Sequence, residues 1–220
     1  MNVYRSFRNR GFTIIEIVIA AAVLALFFLV VFRVYQGIAD SVQRTRWTLS
    51  AQTTARNGLN FMREEMQRAS YRTIYKRNSV DVEEAGFEFH VADGTTSTDK
   101  TLAQWSIGIP FEGGTANIGA VYDAELKLSG RKVLYTKKFN ADTGGTVQPG
   151  EKTYNNFVVL ENVASITLNV EPFLDAAVLA SGSLVEIWTE LRHPDTVRYP
   201  HVFIIEKTGA KVEVEVKKDL

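Results

Sequence analysis

The chain contains no cysteine in 220 residues, which excludes disulfide staples, thiolate catalysis and cysteine-ligated metal together. The compartment stays open, because a chain of this length can bury a core without covalent help. Histidine is scarce: His90, His193 and His201 are scattered, with no ligand spacing such as two histidines four apart on a helix. His90 fits the polar face of a strand, and His193-Pro194 fits a turn. There is no G-x-S-x-G elbow, phosphate loop or dinucleotide fingerprint, and the pairs Gly113-Gly114 and Gly144-Gly145 read as flexible turns. No proline precedes Pro110, so nothing before it compels a helix to stop. We expect no catalytic residue, no metal site and no cofactor; the chain does not read as an enzyme.

Net charge is absent as well, with 25 basic and 25 acidic residues, but the balance conceals an asymmetry. Residues 1–11 hold Arg5, Arg8 and Arg10 and no acid. Residues 12–77 carry nine basic side chains against four acidic, and residues 78–220 carry 13 against 21. A basic stalk thus leads into an acidic head. Either the two surfaces are simply solvated differently, or stalks and heads of neighbouring copies attract one another in a polymer. An acidic head argues against nucleic acid as a partner.

What the sequence has in abundance is apolar length. Phe12 to Phe32 is 21 residues with only Thr13 and Glu16 polar, and at about 1.5 Å per residue it spans about 31 Å, the depth of a bilayer core. The leader arginines favour a cytoplasmic N-terminus, although Arg33, Arg44 and Arg46 on the far side weaken that bias. A carboxylate at the start of a membrane-length helix is costly and should have a job. A secretory signal cut near Gly37-Ile38-Ala39 is one alternative, but the apolar run exceeds the usual ~7–15 residues and contains Glu16. An uncleaved single-pass anchor of a periplasmic binding or sensor protein is another, with Glu16 snorkelling to the interface without a specific role.

The run Arg10-Gly11-Phe12-Thr13-Ile14-Ile15-Glu16, followed at once by the apolar stretch, resembles the class III signal of type IV pilins and type II secretion pseudopilins. That resemblance implies cleavage by prepilin peptidase between Gly11 and Phe12, with methylation of the new amino terminus at Phe12. It implies an assembly role for Glu16: in low dielectric an unpaired carboxylate is unfavourable, and a neighbouring subunit's amino terminus can neutralise it. The implied partners are the peptidase, other pseudopilins or minor pilins through the N-terminal helix, the inner-membrane assembly platform and the membrane itself. The implied location is the inner membrane with a periplasmic head, then a periplasmic filament after assembly. Glu65-Met66-Gln67-Arg68-Ala69-Ser70-Tyr71 is similar to the stalk ending of J-type minor pseudopilins and W-type minor pilins. A subunit near the filament tip would follow from it. The tip-most K type usually lacks the acid, so Glu16 argues against that position.

Beyond Phe32, apolar residues recur at Ile38, Val42, Leu49, Ala55, Leu59, Met62, Met66 and Ala69, with steps of four and three from Ala55 onward. The pattern predicts one helix from about Thr13 to about Arg72, its outer half packed on the head with Met62 and Met66 in the core. Gly37 and Gly58 mark bends, close backbone approaches or tolerated glycines. After Ile74 the period becomes two, and strands are expected at Phe87–Val91, Trp105–Ile109, Val121–Leu128, Lys132–Phe139, Phe157–Leu160, Ser165–Val170, Leu184–Leu191, His201–Glu206 and Lys211–Val216. Lys207–Ala210 reads as the hairpin turn between the last two. Loops are expected at Asp93–Lys100, Glu112–Asn117, Asn140–Lys152 and Ala176–Ser183. Trp47, Trp105 and Trp188 read as packing residues, Trp47 alternatively as a subunit contact. The acids Asp81/Glu83/Glu84 and Asp93/Asp99 lack the spacing of a calcium loop and read as solvated surface. The predicted class is α+β: leader 1–11, membrane or filament-core helix 12–32, amphipathic stalk helix 33–74, and a β-rich head 75–220 on an antiparallel sheet.

Overall fold

A computed structural model describes residues 13–70, 73–77, 80–84, 89–109, 119–143, 145–175, 180–214 and 216–220. Without proline to interrupt it, helix α1 runs Ile14–Gln67, 54 residues, and a 3-10 turn follows at Arg68–Ser70. The chain divides into two compact units, residues 1–46 and 47–220. In the first, every large apolar side chain from Ile14 to Val42 is exposed. In the second, the helix buries Ala55, Gly58, Leu59, Met62, Glu65 and Met66, the three-and-four spacing expected of one buried stripe.

The stripe packs on antiparallel sheet, giving the expected α+β class. Strands β1 (Thr73–Arg77) and β2 (Val80–Glu84) form a two-stranded ribbon. Strands β3 (Phe89–Val91), β4 (Gly94–Thr96), β5 (Lys100–Ile109), β6 (Ala120–Ser129), β7 (Lys132–Phe139) and β8 (Tyr154–Glu161) follow. Then come β9 (Val163–Asp175), β10 (Ala180–Arg192), β11 (Phe203–Val212) and β12 (Val216–Lys217). A six-stranded sheet has the order β12-β3-β5-β6-β7-β8, and a four-stranded sheet the order β11-β10-β9-β4. Among the described residues only β12 with β3 is parallel. One core joins the helix stripe to Phe89, Trp105, Leu126 and Tyr135 of the larger sheet and to Ile166, Leu168, Val185 and Ile187 of the smaller.

At Gly58 the helix packs tightly on β8. A Cβ there would lie 2.7 Å from the Val159 carbonyl oxygen and collide with Leu160, so glycine is required by contact and not by backbone conformation. Gly37 has nothing within 4 Å. The tight β6–β7 hairpin has both central residues left-handed, Gly130 at φ 52° and Arg131 at φ 63°, as the strand twist demands. Asp99 clasps that turn, accepting from the Gly130 amide at 2.8 Å and the Ser129 hydroxyl at 3.1 Å.

Several expectations need correction. Lys207–Ala210 is not a turn: it lies inside β11, with Thr208 opposite Ile187 and Gly209 opposite Glu186. Gly209 stays out of the left-handed region, and the ladder to β10 overrides the turn-like composition. Its missing side chain admits Leu184, whose Cδ1 would lie 3.3 Å from a Cβ. Val212 and Val214 are buried, but Val216 belongs to β12, so the three do not share one strand. The expected loop at 93–100 contains β4, and the end of the expected loop at 176–183 is already β10, with Ser183 opposite Val212. Gly145 is packed against the Gly119 carbonyl with no room for a Cβ, which is not a flexible turn. Trp105 is core, whereas Trp188 stands exposed at 36% on the outer side of the small sheet. The loop 112–117, residues 176–179, Phe87, Gly144 and the side chains of Asp81, Glu83 and Glu84 lie outside the described residues.

Candidate functional site

The segment with a candidate role begins where α1 begins. Thr13 is the residue before the helix, and its hydroxyl accepts from the Glu16 amide at 3.3 Å. Glu16 reaches back: its Oε2 accepts from the Thr13 amide at 2.8 Å and from the Thr13 hydroxyl at 2.9 Å. This reciprocal arrangement is a capping box, which satisfies helix-end donors that have no carbonyl partner. It also puts a negative charge at the positive end of the helix dipole. The pattern Thr13-x-x-Glu16 before an apolar run is visible in the sequence, and reading Glu16 only as an intersubunit ligand overlooks it.

The cap does not exhaust the carboxylate. An ionised carboxylate has about four acceptor positions, and Thr13 supplies two donors. A Glu16 held in one rotamer by its own helix keeps acceptor capacity for an incoming cation. Behind it the apolar segment is uncovered: no residue in the membrane-length window of α1 is buried, and Phe27, Phe28, Leu29 and Phe32 are each more than half exposed. About 25 cal/mol per Å2 of apolar surface favours covering such a segment, so lipid or other helices must do it. Gly11 and Phe12, the expected processing residues, lie outside the described residues.

A second polar cluster sits where the helix ends on the sheet. Glu65 is buried, and its Oε2 accepts from the Tyr135 hydroxyl at 2.5 Å. Lys137, 1% exposed, bonds Glu151 and lies 3.6 Å from Glu65. Arg68 closes the ring, 3.0 Å from Glu65 and 2.8 Å from Glu151, and the Trp105 indole donates to the Glu65 carbonyl at 3.1 Å. Two cations and two carboxylates balance, as burial demands. Burial pushes the Glu151 carboxyl up, but bonds from Arg68 and Lys137 outweigh it and hold the group below the ordinary range. Burial, then the Glu65 carboxylate, push the Tyr135 phenol up. Glu65, Met66, Arg68 and Ala69 thus tie the end of the helix to the sheet.

The remaining candidates are dispersed. His90 bonds Asp219 at 2.8 Å on a strand, and His193 packs between Trp47 and Tyr199 and accepts from the Asp195 amide at 3.1 Å. His201 is exposed. Asp93 pairs with Lys218 at 2.9 Å, so Asp93 and Asp99 are engaged separately. Among the described residues no group of three or more histidine or acidic side chains could hold a metal.

Comparison with known proteins bears on the N-terminus alone. No curated protein and no solved structure matches the chain. Residues 6–32 match the family model of the prokaryotic N-terminal methylation motif; the match supports a type IV pilin-like substrate of prepilin peptidase, and the apolar helix near the N-terminus is consistent with a membrane anchor.

Proposed function

We propose that the chain is a structural, non-enzymatic minor pseudopilin of a type II secretion-type filament. Prepilin peptidase cuts it between Gly11 and Phe12 and methylates Phe12. It waits in the inner membrane with residues 75–220 in the periplasm, and the assembly platform draws it into a filament near the tip. The observation that carries this reading is a methylation motif on a helix whose apolar membrane-length segment has no buried residue and whose carboxylate is pre-oriented. In assembly the uncovered face packs on neighbouring helices. The fixed Glu16 carboxylate receives the neighbour's methylated amino terminus, which sets the axial register. The stalk ending Glu65–Tyr71 and the large head favour a J-type minor subunit; a W-type minor pilin that primes type IV pilus assembly shares the same features. Loss of protein secretion on deletion supports the first, and loss of surface pili the second.

Glu16→Gln is the informative variant. Its amide oxygen can still cap the Thr13 amide, while the charge is gone. We expect normal membrane insertion and peptidase cleavage, with strongly reduced cross-linking into filaments. Wild-type assembly by Glu16→Gln would reduce Glu16 to a helix cap and remove the register mechanism.

A further inference from the structure

The outer face of the four-stranded sheet carries a shallow cleft of about 320 Å3, beside the exposed Trp188. Its walls include Trp188, Ile205, Thr95, Thr167, Asn169 and Glu190. The register explains the convergence: Trp188 stands opposite Thr167 on one side and Lys207 on the other, and Thr95 is opposite Thr167 on the short strand β4. Side chains of directly paired residues share a face. One indole and one aliphatic side chain are therefore set against a row of hydroxyl, amide and carboxylate groups.

The local charges are already answered. Lys207 Nζ lies 4.5 Å from the Trp188 ring centroid, a cation–π contact made from outside the cleft, whose walls do not include Lys207. Glu190 accepts from Arg192 at 2.7 Å. The Thr95 and Thr167 hydroxyls bond each other at 2.8 Å, which fixes their oxygens as a pair. A charged ligand would have to break one of these pairings. An apolar peptide side chain would strip water from the hydroxyl row with nothing to replace it. A sugar ring matches both halves, with a C–H face for the indole and a hydroxyl rim for threonine, asparagine and glutamate. The volume stands at the lower end of the ~300–1,000 Å3 of small-molecule sites, room for one or two rings.

We propose that this cleft binds a neutral saccharide, one or two rings of a longer glycan, with Trp188 as the stacking platform and Thr167 and Asn169 as hydrogen-bonding partners. The proposal is independent of the processing and assembly of the N-terminus.

The test is a titration of the full-length protein in detergent micelles with chitohexaose and, separately, cellohexaose, read by tryptophan fluorescence and by calorimetry. Saturable binding of either is expected; preference for the first points to an N-acetylated glycan and for the second to an unacetylated one. Trp188→Ala should weaken it by about tenfold or more, equivalent to about 1.4 kcal/mol. Thr167→Val keeps a β-branched strand residue and should weaken it without changing near-ultraviolet circular dichroism, which guards against misfolding of the tryptophan variant. No saturable heat or fluorescence change with either oligosaccharide overturns the proposal, as does binding that both variants leave intact.

Discussion

Replacing Gly58 with alanine sets two effects of opposite sign against each other. In a helix interior alanine is favoured over glycine by about 1 kcal/mol, so an unconstrained site would gain stability. Gly58 is constrained: an added Cβ would meet the Leu160 side chain and stand 2.7 Å from the Val159 carbonyl oxygen. Leu160 is buried and can give only by disturbing the core, and the Val159 oxygen is backbone of the strand beneath. Overpacking of this kind costs about 1–3 kcal/mol and a backbone obstacle puts it at the upper end. We predict a net loss of about 1–2 kcal/mol for Gly58→Ala, which lowers Tm by roughly 3–6 °C in a domain of this size. Gly37→Ala is the control, because nothing lies within 4 Å of its Cβ position. The assay is thermal unfolding in micelles followed by near-ultraviolet circular dichroism of the head. A Gly58→Ala protein as stable as wild type, or more so, would refute the close packing of α1 on β8.

The buried ion network supplies three more expectations. Lys137→Met leaves Arg68 as the only cation of the cluster for Glu65 and Glu151 and should cost about 3 kcal/mol or more, measured by urea unfolding. Tyr135→Phe leaves the buried Glu65 carboxylate without its hydroxyl donor and should cost about 1–3 kcal/mol, with a change in Trp105 emission. The Glu151 carboxyl is held below its ordinary value of 4.5, so its contribution is complete above that value and is lost as pH falls through the lower, folded one. Tm measured from neutral to acid pH should drop more steeply in wild type than in Glu151→Gln; parallel curves would contradict the pairing.

Much of the fold was legible because the relevant signals are periodic and long. The absence of proline and the stripe Ala55–Leu59–Met62–Met66 give the helix and its buried side. Alternation along Lys132–Phe139 gives β7 with its observed bounds. Short or tertiary features were harder. Strand β4 has three residues and exists through pairing with Thr167 and its neighbours, a long-range contact without local periodicity. Thr208-Gly209 carries turn chemistry, yet ten ladder pairs to β10 extend it. Trp188 looks like a core residue by type; only its register reveals that it faces out. At the N-terminus the methylation motif is legible over residues 6–32, and the spacing Thr13-x-x-Glu16 in the same stretch is also that of the observed helix cap. Within the ring of Glu65, Arg68, Lys137 and Glu151 only the i,i+3 pair Glu65–Arg68 is local; Lys137 on a strand and Glu151 on a loop join it through contacts distant in sequence that carry no local signal.

The central claim is that this N-terminus is a processed filament signal. Intact mass and N-terminal sequence of the membrane-extracted protein, produced with and without prepilin peptidase, test it most directly. A chain that begins at N-methyl-Phe12 only when the peptidase is present is the predicted result. Retention of Met1–Gly11 under both conditions would contradict it and leave α1 as a plain membrane anchor.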